Sequence, residues 1–195
     1  MKLIIASNNA HKIREIKQIL GSRFDEILSL KEAKIDHETV EDGKTFLENA
    51  RKKATEIAAI SGCCALADDS GICAHALNGE PGVYSARYSG KGDEANNRLL
   101  MDNLRDKEDR TAHYSCVVVL AYPDGRTVSA EGEMHGEIIF TPMGENGFGY
   151  DPIFFLPEYG MTSAQISPEE KNRISHRAKA LNSLVEKLDA AENDG

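Results

Sequence analysis

The chain has 195 residues, 41% hydrophobic and 28% charged, with a formal net charge of −9. That length suits one domain that buries roughly 70% of its unfolded surface and needs no staples. The acidic balance argues against a broad nucleic-acid-binding face, though not against a small polyanion held by a few placed cations, and no apolar run reaches the ~18–20 residues of a membrane span. The opening segment turns polar by Ser7, so a secretory leader is not expected and the cytoplasm is the expected compartment. Cys63, Cys64, Cys73 and Cys116 lack C-x-x-C and zinc-ligand spacing, which predicts reduced, mostly buried thiols.

In chain order, residues 2–6 read as a short buried strand, residues 7–10 as a polar turn and residues 11–20 as a helix with Ile13, Ile16, Ile19 and Leu20 on one face. A second strand is expected over 24–30. Residues 45–61 are a helix with Phe46, Ala50, Ala54, Ile57 and Ala58 as its stripe, opened by a Thr45/Glu48 capping box. A small strand over 64–67 is expected to end at Asp68-Asp69-Ser70-Gly71. An ordered loop then runs to Gly92, followed by a helix over 93–104. Residues 112–122 and 127–139 form a hairpin across Pro123–Arg126, and 141–151, with Gly144, Gly147 and Gly149, is a loop. Ser167-Pro168-Glu169-Glu170 reads as a capping box opening a C-terminal helical stretch. Residues 192–195 are expected to fray. Early alternation followed by a long hairpin predicts a mixed α/β sheet flanked by helices, with two lobes around a central cleft.

Five segments carry candidate chemistry. Ser7, Asn8, Asn9, Ala10, His11 and Lys12 lie where a strand meets a helix N-terminus, a position suited to phosphate, although they lack the P-loop pattern. Asp68 and Asp69 are adjacent acids that repel unless a cation or proton intervenes, and magnesium is the hard ion suited to carboxylates and phosphates. Glu41, before the helix over 45–61, is a second acid for such a site. Phe148, Gly149, Tyr150 and Asp151 set an aromatic among glycines, suited to stacking on a base. Lys171, Ser175, His176 and Arg177 offer donors to phosphate and purine carbonyls. On an unbroken helix Lys171 and Arg177 would lie ~120° apart, so this stretch starts late, breaks, or serves two surfaces.

Taken together, SNNAHK (7–12), EDGKTFLENARKKA (41–54), ADDSGICAHALNGEPGVYSARYSG (67–90), GFGYDPIF (147–154) and KNRISHRAKAL (171–181) resemble the inosine triphosphate pyrophosphatases, or Ham1-like family, in the family's order and over most of the chain. The resemblance implies one elongated two-lobed catalytic domain over 1–195, a homodimer, and hydrolysis of ITP, dITP and XTP to monophosphate and pyrophosphate, with no nucleic-acid or membrane partner. It implies Mg2+ held by Glu41 and Asp69, with Asp69 as general base. It also assigns Ser7 to Lys12, Lys53, Ser70, Phe148 to Asp151, Lys171, His176 and Arg177 to substrate. Ile72 and His75 depart from the usual pattern, and His75 reads as a partly buried structural histidine. Which of Asp68 and Asp69 is structural stays open. The alternatives are a Maf-type pyrophosphatase for modified pyrimidines and a nucleotide-sensing module that does not cleave.

Overall fold

The computed structural model describes residues 1–193. One seven-stranded sheet runs in the order β2-β1-β3-β4-β5-β6-β7. Its strands are β1 (Lys2–Ile5), β2 (Glu26–Ser29), β3 (Cys64–Ala74), β4 (Thr111–Ala121), β5 (Thr127–Ile138), β6 (Phe154–Leu156) and β7 (Met161–Thr162). β1 is parallel to both β2 and β3, while β6 is antiparallel to β5 and β7, so the sheet is mixed. The helices are α1 (Ala10–Leu20), α2 (Phe46–Ser61), α3 (Asp93–Leu104), α4 (Pro168–Ile174) and α5 (His176–Asn193). Among the described residues, no helix is long and apolar enough to cross a membrane.

The chain divides into two compact units. The first comprises Met1–Asp69, Cys116–Gly132 and the residues from Arg177 onward; the second comprises Ser70–Ser115 and Glu133–His176. In the first unit, alternate strand residues feed two cores. Leu3, Ile5, Leu66, Val118 and Leu120 pack with Ile16 and Leu20 of α1 and Leu181 and Leu184 of α5. Ile4, Ala65, Ala67, Val117 and Val119 pack with Ala50, Ala54 and Ile57 of α2. Burial on both faces is why these strands read as continuous apolar runs. In the second unit Ile72, Tyr114, Met134, Ile138 and Phe154 pack with Leu100 and Leu104 of α3. Glu133, His135 and Glu137 alternate with this core and are exposed.

Several boundaries depart from the sequence reading. β3 does not stop at Ala67 but runs through the acids to Ala74, because both carboxylates find partners in mid-strand (below). The C-terminal helical stretch breaks at Ser175, whose extended backbone (φ −66°, ψ 155°) separates α4 from α5. Ser167 caps α4 by accepting from the Glu170 amide. Thr45 and Glu48 form the complete reciprocal box, and Gly62 closes α2 at φ 64°. The helix expected to fray from Glu192 continues through Asn193, and the last two residues of that expectation lie outside the described ones. His75 is exposed rather than partly buried and bonds Thr111 Oγ1 and His113. All four cysteines are free thiols, Cys64 and Cys116 buried.

Candidate active site

The first unit gathers the acids. Glu41 sits on a loop that lies back along the first turns of α2, and four consecutive loop residues engage α2 in reverse order. Glu41 pairs with Lys53 at 3.0 Å and Asp42 with Lys52 at 2.8 Å. The Gly43 amide donates to Asn49 Oδ1 at 2.8 Å, and the Lys44 amide donates to Glu48 at 2.6 Å. Gly43 is required by space: a Cβ there would come within 2.6 Å of Asn49 Oδ1 and 2.8 Å of Glu48 Cβ.

Asp68 and Asp69 point to opposite faces of β3, as consecutive strand residues must, and meet different partners. Asp68 accepts from Arg177 Nε and Nη2, both at 3.1 Å, and lies 3.2 Å from Lys12 Nζ. Arg177 also pairs with Glu15. Burial opposes ionising Asp68, but Lys12, Arg177 and Lys53 outweigh it and hold the carboxyl well below the usual range. Asp69 accepts from Asn49 Nδ2 at 3.0 Å and stands 3.7 Å from Lys53 Nζ. Here burial dominates and raises the pKa; Lys53 and Asn49 offset it in part, and Glu41 pushes it further up. Lys53 also donates to the Asp68 carbonyl at 2.8 Å. Burial pulls its ammonium down, yet Asp69, Asp68 and Glu41 together keep its pKa above the ordinary value.

One ammonium therefore lies within 3.0 Å of Glu41 and 3.7 Å of Asp69, which sets the two acids no further apart than those distances added. Two all-oxygen carboxylates converging on one cation suit a hard divalent ion. Among the described residues no group of three His, Cys, Asp or Glu stands ready to hold a metal. Any such ion would complete its shell with water and substrate oxygens, the usual habit of magnesium.

At the start of α1, Asn9 caps the helix, its Oδ1 accepting from His11 N at 3.0 Å and Lys12 N at 3.3 Å. Ser7 Oγ accepts from Asn9 N at 3.0 Å, and Asn8 Oδ1 from Lys31 N at 3.2 Å. Ala10 opens the helix itself. The side chains of the turn thus satisfy the amides of Asn9, His11 and Lys12, and the Lys12 ammonium rests on Asp68.

The second unit organises the aromatic loop. Asp151 is buried; it accepts from Lys171 Nζ at 2.6 Å, from the Phe148 amide at 2.9 Å and from Tyr114 OH at 3.2 Å. Gly147, at φ 74°, leaves the space Asp151 needs, since a Cβ there would meet Oδ2 at 2.0 Å. Lys171 Nζ stands 5.0 Å from the Phe148 ring centroid. Asn97 and Asp93 hold Gly149 through its carbonyl and amide, and Tyr150 donates to Ser85 O at 2.7 Å. Tyr114 also stacks on His176, centroids 4.5 Å apart and planes 6° apart. Its hydroxyl titrates well above its ordinary value, chiefly through burial and then through the Asp151 charge.

The structure therefore brings Lys12, Glu41, Lys53, Asp69 and Arg177 into the first unit, and Phe148 to Asp151, Lys171 and His176 into the second, where Ser70 also begins. Sequence reasoning missed Glu15, Asn49 and Tyr114. Glu15 and Asn49 sit at ordinary helical positions and Tyr114 in an ordinary strand, so only their buried partners mark them.

A Ham1 family profile matches residues 3–187. The chain belongs to the Ham1 family. A Desulfotalea psychrophila protein named dITP/XTP pyrophosphatase is 50% identical over 92% of this chain and 81% of its own length. A Nitrosomonas europaea protein of the same name is 50% identical over 99% and 96%. The solved structure of the Staphylococcus aureus Ham1 protein, 44% identical, superposes with a TM-score of 0.87 over 98% of this chain and 100% of that one.

Proposed function

We propose that this Ham1-family chain is a magnesium-dependent pyrophosphatase for non-standard purine nucleoside triphosphates, dITP, XTP and ITP, releasing the monophosphate and pyrophosphate. The observation that carries the chemistry is the convergence of Glu41 and Asp69 on Lys53; the names of the relatives point to the substrates. Glu41 and Asp69 would hold Mg2+, which supplies charge neutralisation at the phosphates and polarises water. Asp69 would take a proton as the water oxygen bonds to the α-phosphorus and the bond to pyrophosphate breaks. Lys53 and Lys12 offset charge on the phosphates. Asp68, saturated by Arg177 and Lys12, anchors these cations and does not act as the base. His176 and the backbone of Phe148 and Gly149 are the donors for a 6-oxo purine, where adenine would leave them facing another donor. Homodimerisation and cytoplasmic residence belong to the same proposal.

The test is incubation with dITP, XTP, ITP, dUTP and ATP, with Mg2+ or with chelator, reading pyrophosphate against orthophosphate. Pyrophosphate from the 6-oxo purines, at least about a hundredfold faster than from ATP and abolished by chelator, is expected. Equal rates on ATP, preference for dUTP, orthophosphate as product or metal-independent turnover would each overturn the reading.

A further inference from the structure

Asn49 is fully buried in the first turn of α2, and both ends of its carboxamide are committed. Oδ1 accepts from the Gly43 amide at 2.8 Å, while Nδ2 donates to Asp69 Oδ2 at 3.0 Å. The amide cannot be reversed, because an N–H needs an acceptor and a carboxylate needs a donor. One side chain thus ties the backbone two residues beyond Glu41 to one oxygen of Asp69, with Lys53 on the other oxygen. The missing Cβ of Gly43 is what permits that approach.

We infer that Asn49 is a positioning residue for the divalent cation, holding the Glu41 loop and the Asp69 carboxylate in one register; this rests on the magnesium reading above. Asn49 touches neither metal nor substrate. Its effect is to cap Asp69 Oδ2 so that Oδ1 is the oxygen presented with Glu41. Without it, Asp69 is free to rotate and the loop loses its central tether, so two ligands must be ordered when the cation arrives.

The experiment measures Mn2+ binding by electron paramagnetic resonance, without nucleotide, in wild type, Asn49→Leu and Gly43→Ala, with thermal melts as folding controls. Leucine keeps the branched outline and removes both bonds; Gly43→Ala crowds Asn49 Oδ1 and Glu48 and drives the loop off Asn49 without changing the Asn49 side chain itself. Asn49→Leu should raise the Mn2+ dissociation constant about tenfold, the scale of a hydrogen bond to a charged group, and Gly43→Ala about threefold. In turnover, the Mg2+ concentration for half-maximal pyrophosphate release should rise in parallel, while KM for dITP at saturating Mg2+ stays within about twofold, a split that general loosening would not give. A folded Asn49→Leu protein that binds Mn2+ like wild type overturns the inference. If that variant does not fold, Gly43→Ala decides: wild-type affinity overturns the inference and weakened affinity supports it. Failure of wild type to bind Mn2+ instead removes the magnesium reading itself.

Discussion

The two units each bury a carboxylate beside a lysine, yet they surround it with different partners. Among the described contacts of the second unit, Asp151 meets one cation, Lys171, and two further donors, a balanced cluster. In the first unit the described network holds four carboxylates, Glu15, Glu41, Asp68 and Asp69, against three cations, Lys12, Lys53 and Arg177. The surplus falls on Asp69, whose pKa burial has raised. A balanced cluster builds a wall; a cluster short of positive charge is where a further cation lowers the energy. That difference is the ground on which the proposed magnesium site is placed in the first unit.

The sharpest way to break the contrast is Asp69→Asn, which removes the surplus. Turnover of dITP should fall about a thousandfold with the fold kept by circular dichroism; substantial magnesium-dependent activity would refute the assignment. Next is Arg177→Ala, which leaves buried Asp68 with one cation fewer. It should destabilise by about 3 kcal/mol and lower Tm by roughly 10 °C in a calorimetric scan. A normal Tm with weakened ITP use would return Arg177 to a purely substrate-facing role.

Asp68→Asn probes the same anchor through pH. The folded pKa of Asp68 is depressed, so its ionised form contributes stability present above the unfolded value and lost as pH falls below about 4. Wild type and variant should therefore differ most near neutrality and converge in acid, as urea midpoints across pH would register. In the balanced unit the effects should be smaller. Tyr114→Phe loses only the bond to Asp151 and should raise KM for dITP about threefold, while Tyr114→Leu also loses the stack on His176 and should raise it about tenfold. Wild-type KM in both variants would show that neither contact positions the base site. The least effect is expected from Thr45→Ala, which costs α2 its cap and about 1 kcal/mol of stability by urea titration.

Much of this was legible in the sequence where the signal is local. The caps of α2 and α4, the β4–β5 turn and the five motif segments depend on neighbours a few residues away. What stayed hidden depends on partners far along the chain. The apolar run alone ends β3 at Ala67; Arg177 and Lys12, from distant segments, pair with Asp68 and let the strand continue. The same long-range pairing puts Arg177 on Asp68 while His176, its neighbour, stacks on Tyr114. β6 and β7, of three and two residues, are too short for a period to declare itself.

The reversed attachment of residues 41–44 along α2 also limits how this segment can vary in length. Each backbone step from Glu41 to Lys44 is matched to its own rung on the helix, so an insertion there would set the remaining matches out of phase and strand Glu41 away from Lys53. Substitutions of the exposed Asp42–Lys52 pair should be tolerated, whereas adding or deleting a single residue should not.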